Sequence, residues 1–117
     1  MIKNIKSILD IINKYELFLF DQWGVVHDGE NIFPDAENIF KILQEKQKKV
    51  FIISNSGKKS PENIHRMKKL GANHILNFPI ITSGDVCYDL LINNKEPFQN
   101  IGNKYFVIAT DYPLLKN

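Results

Sequence analysis

Two short apolar runs, Leu17-Phe18-Leu19-Phe20 and Val50-Phe51-Ile52-Ile53, constrain this chain more than any other feature, because each ends abruptly on polar residues. Such a run reads as a strand covered on both faces, as in a parallel sheet. Helical periodicity surrounds both runs. Ile5, Ile8, Leu9 and Ile12 have the spacing of one helix face and predict a helix over 4–15. Ile39, Phe40 and Leu43 predict another over 35–47. Ser60-Pro61 suits a helix start, with Ser60 as N-cap and Pro61 at the first helical position. Ile64, Met67 and Leu70 would face inward, and Gly71 would stop that helix. Ile80-Ile81 predicts a third strand, Ser83 a cap for a helix through Leu91, and Tyr105 to Ala109 a last strand.

Helix and strand alternate along the whole chain. That order implies parallel strands joined by right-handed helical crossovers: an α/β fold with a three-layer doubly wound sheet. Ligands of such sheets bind at the carboxyl ends of the strands. The residues there are Asp21 to Gly24, Ser54 to Gly57, and Thr82 to Asp85. Between them, Gly24 to Pro34 contains the turn signals Asp28-Gly29 and Asn31.

Composition narrows the partners. The formal charge is +2 over 117 residues with the basic residues interspersed, so no nucleic-acid-binding face is expected. Lys46, Lys48 and Lys49 read as a solvated helix end. No apolar stretch reaches signal-peptide or membrane-span length. The single cysteine, Cys87, excludes an intrachain disulfide and a cysteine metal cluster, and fits a reducing, cytoplasmic setting. His27, His65 and His74 are too scattered to suggest a metal site. Phe18, Phe20, Phe40 and Phe51 fall on core positions, whereas Trp23 lies beside Asp21, where an indole could line a pocket.

Two readings stand side by side at each strand end. A carboxylate at the end of a buried strand, as at Asp21, can attack an electrophile to form an ester or acyl phosphate; it can also merely end the strand and cap a turn. The hydroxyl of Ser54 and the N–H groups around Asn55 can hold phosphoryl oxygens; the same residue types also make ordinary β-to-α turns.

Taken together, these segments resemble the haloacid dehalogenase superfamily. Phe18 to Val25 is similar to its first motif, whose leading aspartate is the nucleophile, and Phe51-Ile52-Ile53-Ser54-Asn55 is similar to its second. Phe33-Pro34-Asp35-Ala36, Ser54-Asn55-Ser56 and Ile81-Thr82-Ser83-Gly84 resemble the class IIA, p-nitrophenylphosphatase-like branch. The resemblance implies Asp21 as nucleophile and Mg²⁺ ligand, with the backbone carbonyl of Trp23 as a second ligand. It implies Ser54 and the backbone near Asn55 as holders of the phosphoryl group. The implied activity is Mg²⁺-dependent hydrolysis of a small phosphorylated metabolite through an aspartyl-phosphate intermediate.

Two departures accompany the resemblance. Phosphatases of the superfamily carry a second aspartate two residues after the nucleophile, where this chain has Trp23, and indole transfers no proton. An aromatic there is shared with the dehalogenases themselves, which leaves a dehalogenase-like hydrolase as an alternative. His27 or Asp28 could substitute as the proton carrier, or both could only shape a turn. The superfamily also needs a later lysine and acidic group, which in class IIA follow a cap. Residues 1–95 are therefore expected to form the N-terminal part of the core and 96–117 to open a cap, with Lys104 to Ile108 as its first strand. On that expectation the chain is incomplete, and by itself an inactive fragment or binding half. A capless alternative would use Lys95 as the lysine and Thr110-Asp111 as the acidic motif. A receiver-type switch fits less well, because only one acidic side chain stands at the first strand. The sequence says nothing of oligomeric state.

Overall fold

The computed structural model describes residues 4–108. Three parallel strands, β1 (Leu17–Asp21), β2 (Lys49–Ser54) and β3 (Ile80–Thr82), form one sheet in the order β1-β2-β3. Helix α1 (Ala36–Glu45) joins the first pair, α2 (Ser60–Lys69) the second, and α3 (Ser83–Ile92) follows β3. From β1 to α3 the alternation read from the sequence is the observed order, and the class is α/β.

One face of the sheet is dry. Phe18, Val50, Ile52 and Ile80 pack with Phe40 and Leu43 of α1 and Met67 of α2. Phe20 and Phe78 flank Phe40, with ring centroids 4.8 and 5.7 Å away. Burying aromatic and branched aliphatic side chains of this size contributes about 1.5–3 kcal/mol each. The opposite face is unlike what the apolar runs predict, because Leu17, Leu19, Ile53 and Ile81 stay 39–59% exposed. Helix α3 supplies the start of a third layer there, its Val86, Cys87 and Leu90 lining a groove with Ile53 and Ile81.

Three other expectations are corrected. The N-terminal helix is replaced by two 3₁₀ turns, Ile8–Asp10 and Ile12–Lys14. Ser7 and Asp10 form a capping box around the first turn, and Ile11 leaves the helical region at φ −121°, ψ −4°. β-Branched residues at 5, 8, 11 and 12 weaken helix propensity, and the short polar side chains between them compete for the backbone. The caps of α2 and α3 lie one residue earlier than read, at Lys59 and Thr82. Finally, residues 104–108 join no strand, and Phe106 and Ile108 are about nine-tenths exposed. An apolar run becomes a strand only where a partner takes its N–H and C=O groups. Ala109, Thr110 and Asp111 lie outside the described residues.

The shifted caps share a cause, the Asp85 carboxylate. Its Oδ2 accepts from Thr82 N and Oγ1 (3.0 and 2.9 Å) and its Oδ1 from Ser60 N and Oγ (2.9 and 3.1 Å). One side chain therefore closes the capping box of α3 and ties the start of α2 to it. Beside it, Gly84 N donates to Ser56 O at 3.0 Å, and a Cβ on Gly84 would stand 2.6 Å from the Lys58 carbonyl. The 54–59 loop is thereby pressed onto the first turn of α3.

Burial works against the ionised Asp85 carboxyl, but the four hydrogen bonds outweigh it and hold its pKa below the ordinary aspartate value. Its stabilisation is therefore present above the unfolded-state pKa and is lost as pH falls towards the folded-state value. Asp85→Asn should cost about 1–3 kcal/mol at pH 7 in chemical denaturation and should flatten this part of the acid dependence. An unchanged midpoint would remove the carboxylate from the account. Gly84→Ala should cost a further ~1–3 kcal/mol and speed amide exchange selectively in residues 54–59.

Candidate active site

Strand register assembles the site. Asp21 pairs with Ile53, and Ser54, one residue further, pairs with Thr82. Asp21, Ser54, Asn55 and Ser83 then line a shallow hollow of about 330 Å³ at the carboxyl edge of the sheet. Asp21 is exposed, and its Oδ1 accepts the Gln22 N–H at 2.8 Å, which orients the carboxyl group. Its Oδ2 and the Trp23 carbonyl make no hydrogen bond among the described residues. Both are hard oxygen donors of the kind Mg²⁺ takes, alongside water and phosphate oxygens. No group of three or more His, Cys, Asp or Glu side chains gathers anywhere among the described residues. Oxygens of the described residues would therefore fill only part of such an ion's shell.

Ser54 Oγ accepts the Ser56 N–H at 3.2 Å, which leaves its own proton free to donate. The Asn55 N–H has no backbone acceptor among the described residues and lies in the same loop. A hydroxyl proton and a free N–H at a strand end suit an anion's oxygens.

A second hollow of about 210 Å³ adjoins the first through Ser54 and Asn55 and continues to Gln22, Trp23, His27, Asn63 and Arg66. Strand alternation puts Asp21 on the open face of the sheet and Gln22 on the covered one, so the hollows flank the loop. Gln22 and His27 are 2% and 1% exposed, yet Gln22 Oε1 and both His27 ring nitrogens lack a hydrogen-bond partner. Burial first, then the Arg66 guanidinium, lowers the His27 pKa; Asp28 only partly opposes them. The imidazole is therefore neutral at pH 7.

Trp23 does not overhang Asp21. Its ring meets His27 edge-on at 5.3 Å and lies against Gly29, whose φ of +102° and missing Cβ make room for it. Arg66 caps the indole at 5.1 Å and donates to Gly29 O at 3.2 Å. Asp28 is exposed, and its Oδ1 accepts from Glu30 N and Asn31 N at 2.9 and 2.7 Å, a turn-forming arrangement that lowers its pKa.

The structure thus brings Asp21, Ser54 and Asn55 together and sets Trp23 and His27 in the adjoining hollow, with Asp28 in a turn outside both. Lys95 is not brought to Asp21; it pairs with Asp89 at 3.0 Å. Ser83 lies at the site but Lys95 follows the far end of α3, ~15 Å away at the helical rise. Sequence reasoning missed Gln22, Asn63 and Arg66. The spacing of Asn63 and Arg66, three apart on α2, was the available signal, since it puts both on one helix face.

Comparison with known proteins gives the family and the fold. The model of the haloacid dehalogenase-like hydrolases matches residues 18–114. The NipSnap protein K02D10.1 of Caenorhabditis elegans is 32% identical over 104 residues, which are 87% of this chain and 19% of that protein. A 4-nitrophenylphosphatase of Schizosaccharomyces pombe is 33% identical over 57 residues, 49% of this chain and 19% of that one. A haloacid dehalogenase-like hydrolase from Brucella suis 1330 superposes with a TM-score of 0.69 at 30% identity, over 77% of this chain and 33% of its own. The chain accordingly spans a third or less of the length of each of these relatives. With a family match over most of its length and an aspartate at the end of its first parallel strand, the chain belongs to the haloacid dehalogenase-like hydrolases.

Proposed function

We propose that these residues form the phosphoryl-handling half of a Mg²⁺-dependent phosphatase acting on a small phosphorylated metabolite. The observation that carries this reading is the sharing of one hollow by the Asp21 carboxylate, the Ser54 hydroxyl and the Asn55 backbone. The similarity to a 4-nitrophenylphosphatase supports it.

In the proposed reaction a carboxylate oxygen of Asp21 attacks phosphorus and the bond to the leaving oxygen breaks, giving an aspartyl phosphate and an alkoxide that takes its proton from water. Water then attacks that phosphorus, releasing inorganic phosphate and the free carboxylate. The Ser54 O–H and the Asn55 N–H would hold the phosphoryl oxygens, where preorganised donors are worth most. Asp21 and the Trp23 carbonyl would contribute ligands to Mg²⁺, which when bound would neutralise phosphate charge. The Trp23 indole has an N–H but transfers no proton as acid or base. His27 is the titratable group left in the adjoining hollow, whereas the Asp28 carboxylate is engaged in its turn.

Residues 1–95 fit an N-terminal core segment and 96–117 the approach to a cap, which would leave the remaining charge-stabilising groups to segments beyond these. No helix among the described residues is long and apolar enough to cross a membrane. The half-buried free thiol of Cys87 supports a reducing, cytoplasmic setting.

The test is release of 4-nitrophenolate from 4-nitrophenyl phosphate, with and without Mg²⁺, by the whole protein carrying these residues. Asp21→Asn should lower the rate at least ~10³-fold, and Ser54→Ala by ~10–10³-fold. Turnover that survives Asp21→Asn would refute the nucleophile.

A further inference from the structure

The second hollow holds more polar capacity than the phosphoryl reading uses. Burying an unpaired amide oxygen and an unpaired imidazole costs about 1–3 kcal/mol each, yet Gln22 and His27 are both buried with such atoms unpaired. The two side chains line one cavity whose rim is Arg66. The needs of these groups are specific. The Gln22 Oε1 can only accept, so it requires an O–H or N–H from whatever fills the cavity. Both His27 ring nitrogens are unpaired in the same cavity and can bond hydroxyl groups there. Arg66 makes a single 3.2 Å bond to Gly29 O from one guanidinium nitrogen and retains donors for an anion. At about 210 Å³ the cavity is smaller than the ~300–1,000 Å³ of sites for drug-sized ligands. It suits a few-carbon group bearing hydroxyl and negative charge.

Position makes this group part of a substrate. Ser54 and Asn55 line both hollows, so a molecule whose phosphoryl group lies against them can reach across the loop to Arg66. We propose that the hollow under Arg66 binds a second anionic group of the substrate, a carboxylate or a second phosphate on a short hydroxylated carbon chain. Arg66 is its cationic anchor, and Gln22 and His27 bond its hydroxyl groups. The inference rests on the phosphoryl site proposed above and narrows its substrate class to phosphate esters that bear a second anionic group. Trp23, stacked under the same guanidinium, holds Arg66 over the cavity.

Trp23 is the single tryptophan of the chain and lines the hollow, so its fluorescence reports occupancy directly. The full chain would be titrated with methyl phosphate, glycerate, glycerate 3-phosphate and 1,3-propanediol bisphosphate. Glycerate 3-phosphate, the bisphosphate or both should bind about ten-fold or more tightly than methyl phosphate, which has no second anionic group, as a charge-assisted bidentate contact would give. Whichever of the two binds better identifies the second anion as carboxylate or phosphate. Arg66→Met should bring their affinities down to that of methyl phosphate, and Arg66→Lys should restore part of the preference. Gln22→Met, which retains the anchor, should weaken glycerate 3-phosphate but not the bisphosphate, which has no hydroxyl. Circular dichroism of each variant separates misfolding from lost contact.

Equal affinity of the native chain for methyl phosphate, glycerate 3-phosphate and the bisphosphate would overturn the proposal and leave the phosphoryl site standing. A preference that persists in Arg66→Met would overturn it as well. Arg66-dependent binding of glycerate without any binding of methyl phosphate would support the second hollow and overturn the phosphoryl reading. Binding of no probe would overturn both.

Discussion

The carboxylate of Asp85 accepts hydrogen bonds from two helix starts at once, and the geometry of the site follows from that sharing. Parallel strands deliver Asp21, Ser54 and Thr82 to one edge, but register alone does not shape the loops that follow them. By bonding Thr82 within its own capping box and Ser60 across the gap, Asp85 fixes where α2 begins relative to α3. The loop between β2 and α2 then has its far end tied down, and Gly84 lets that loop rest on the helix turn beneath it. The Ser54 hydroxyl and the Asn55 N–H are held at the edge of the sheet by a contact that neither makes itself.

That loop divides the strand ends into two hollows of different character. On one side the exposed Asp21 carboxylate meets loop donors, an arrangement suited to a phosphoryl group. On the other, Gln22, His27 and Arg66 surround a cavity whose buried polar atoms await partners. Trp23 belongs to the second side. Folded over Gly29 and under Arg66, the indole forms a wall of the second hollow rather than standing in for a missing carboxylate.

The sheet itself is covered unequally. Helices α1 and α2 seal the face carrying Phe18, Val50, Ile52 and Ile80, while Leu17, Leu19, Ile53 and Ile81 remain open but for the edge of α3. Both faces are apolar because each strand is a continuous apolar run, the pattern of a sheet packed on both sides. The chain spans about a third of the Brucella hydrolase it resembles, and the described residues provide a full layer for one face only.

Much of the frame was legible in the residues themselves. Unbroken apolar runs at 17–20 and 50–53, separated by a helical period, specify parallel strands, and a polar residue at the end of each run marks the ligand edge. Asp21, Ser54 and Asn55 could be singled out this way because their position depends only on local pattern and strand polarity. Local pattern failed where a competing bond decided the outcome. Ser60 was read as a cap but is drawn to Asp85, 25 residues away, and the N-terminal isoleucines gave a helical period without the propensity to hold a helix. Gln22 is an ordinary loop residue in sequence and Arg66 an ordinary helix cation, and His27 stands out there only as a possible proton carrier. Only the packing of α2 against the loop after β1 makes them one charged hollow, because their proximity is set by tertiary contact and not by spacing along the chain.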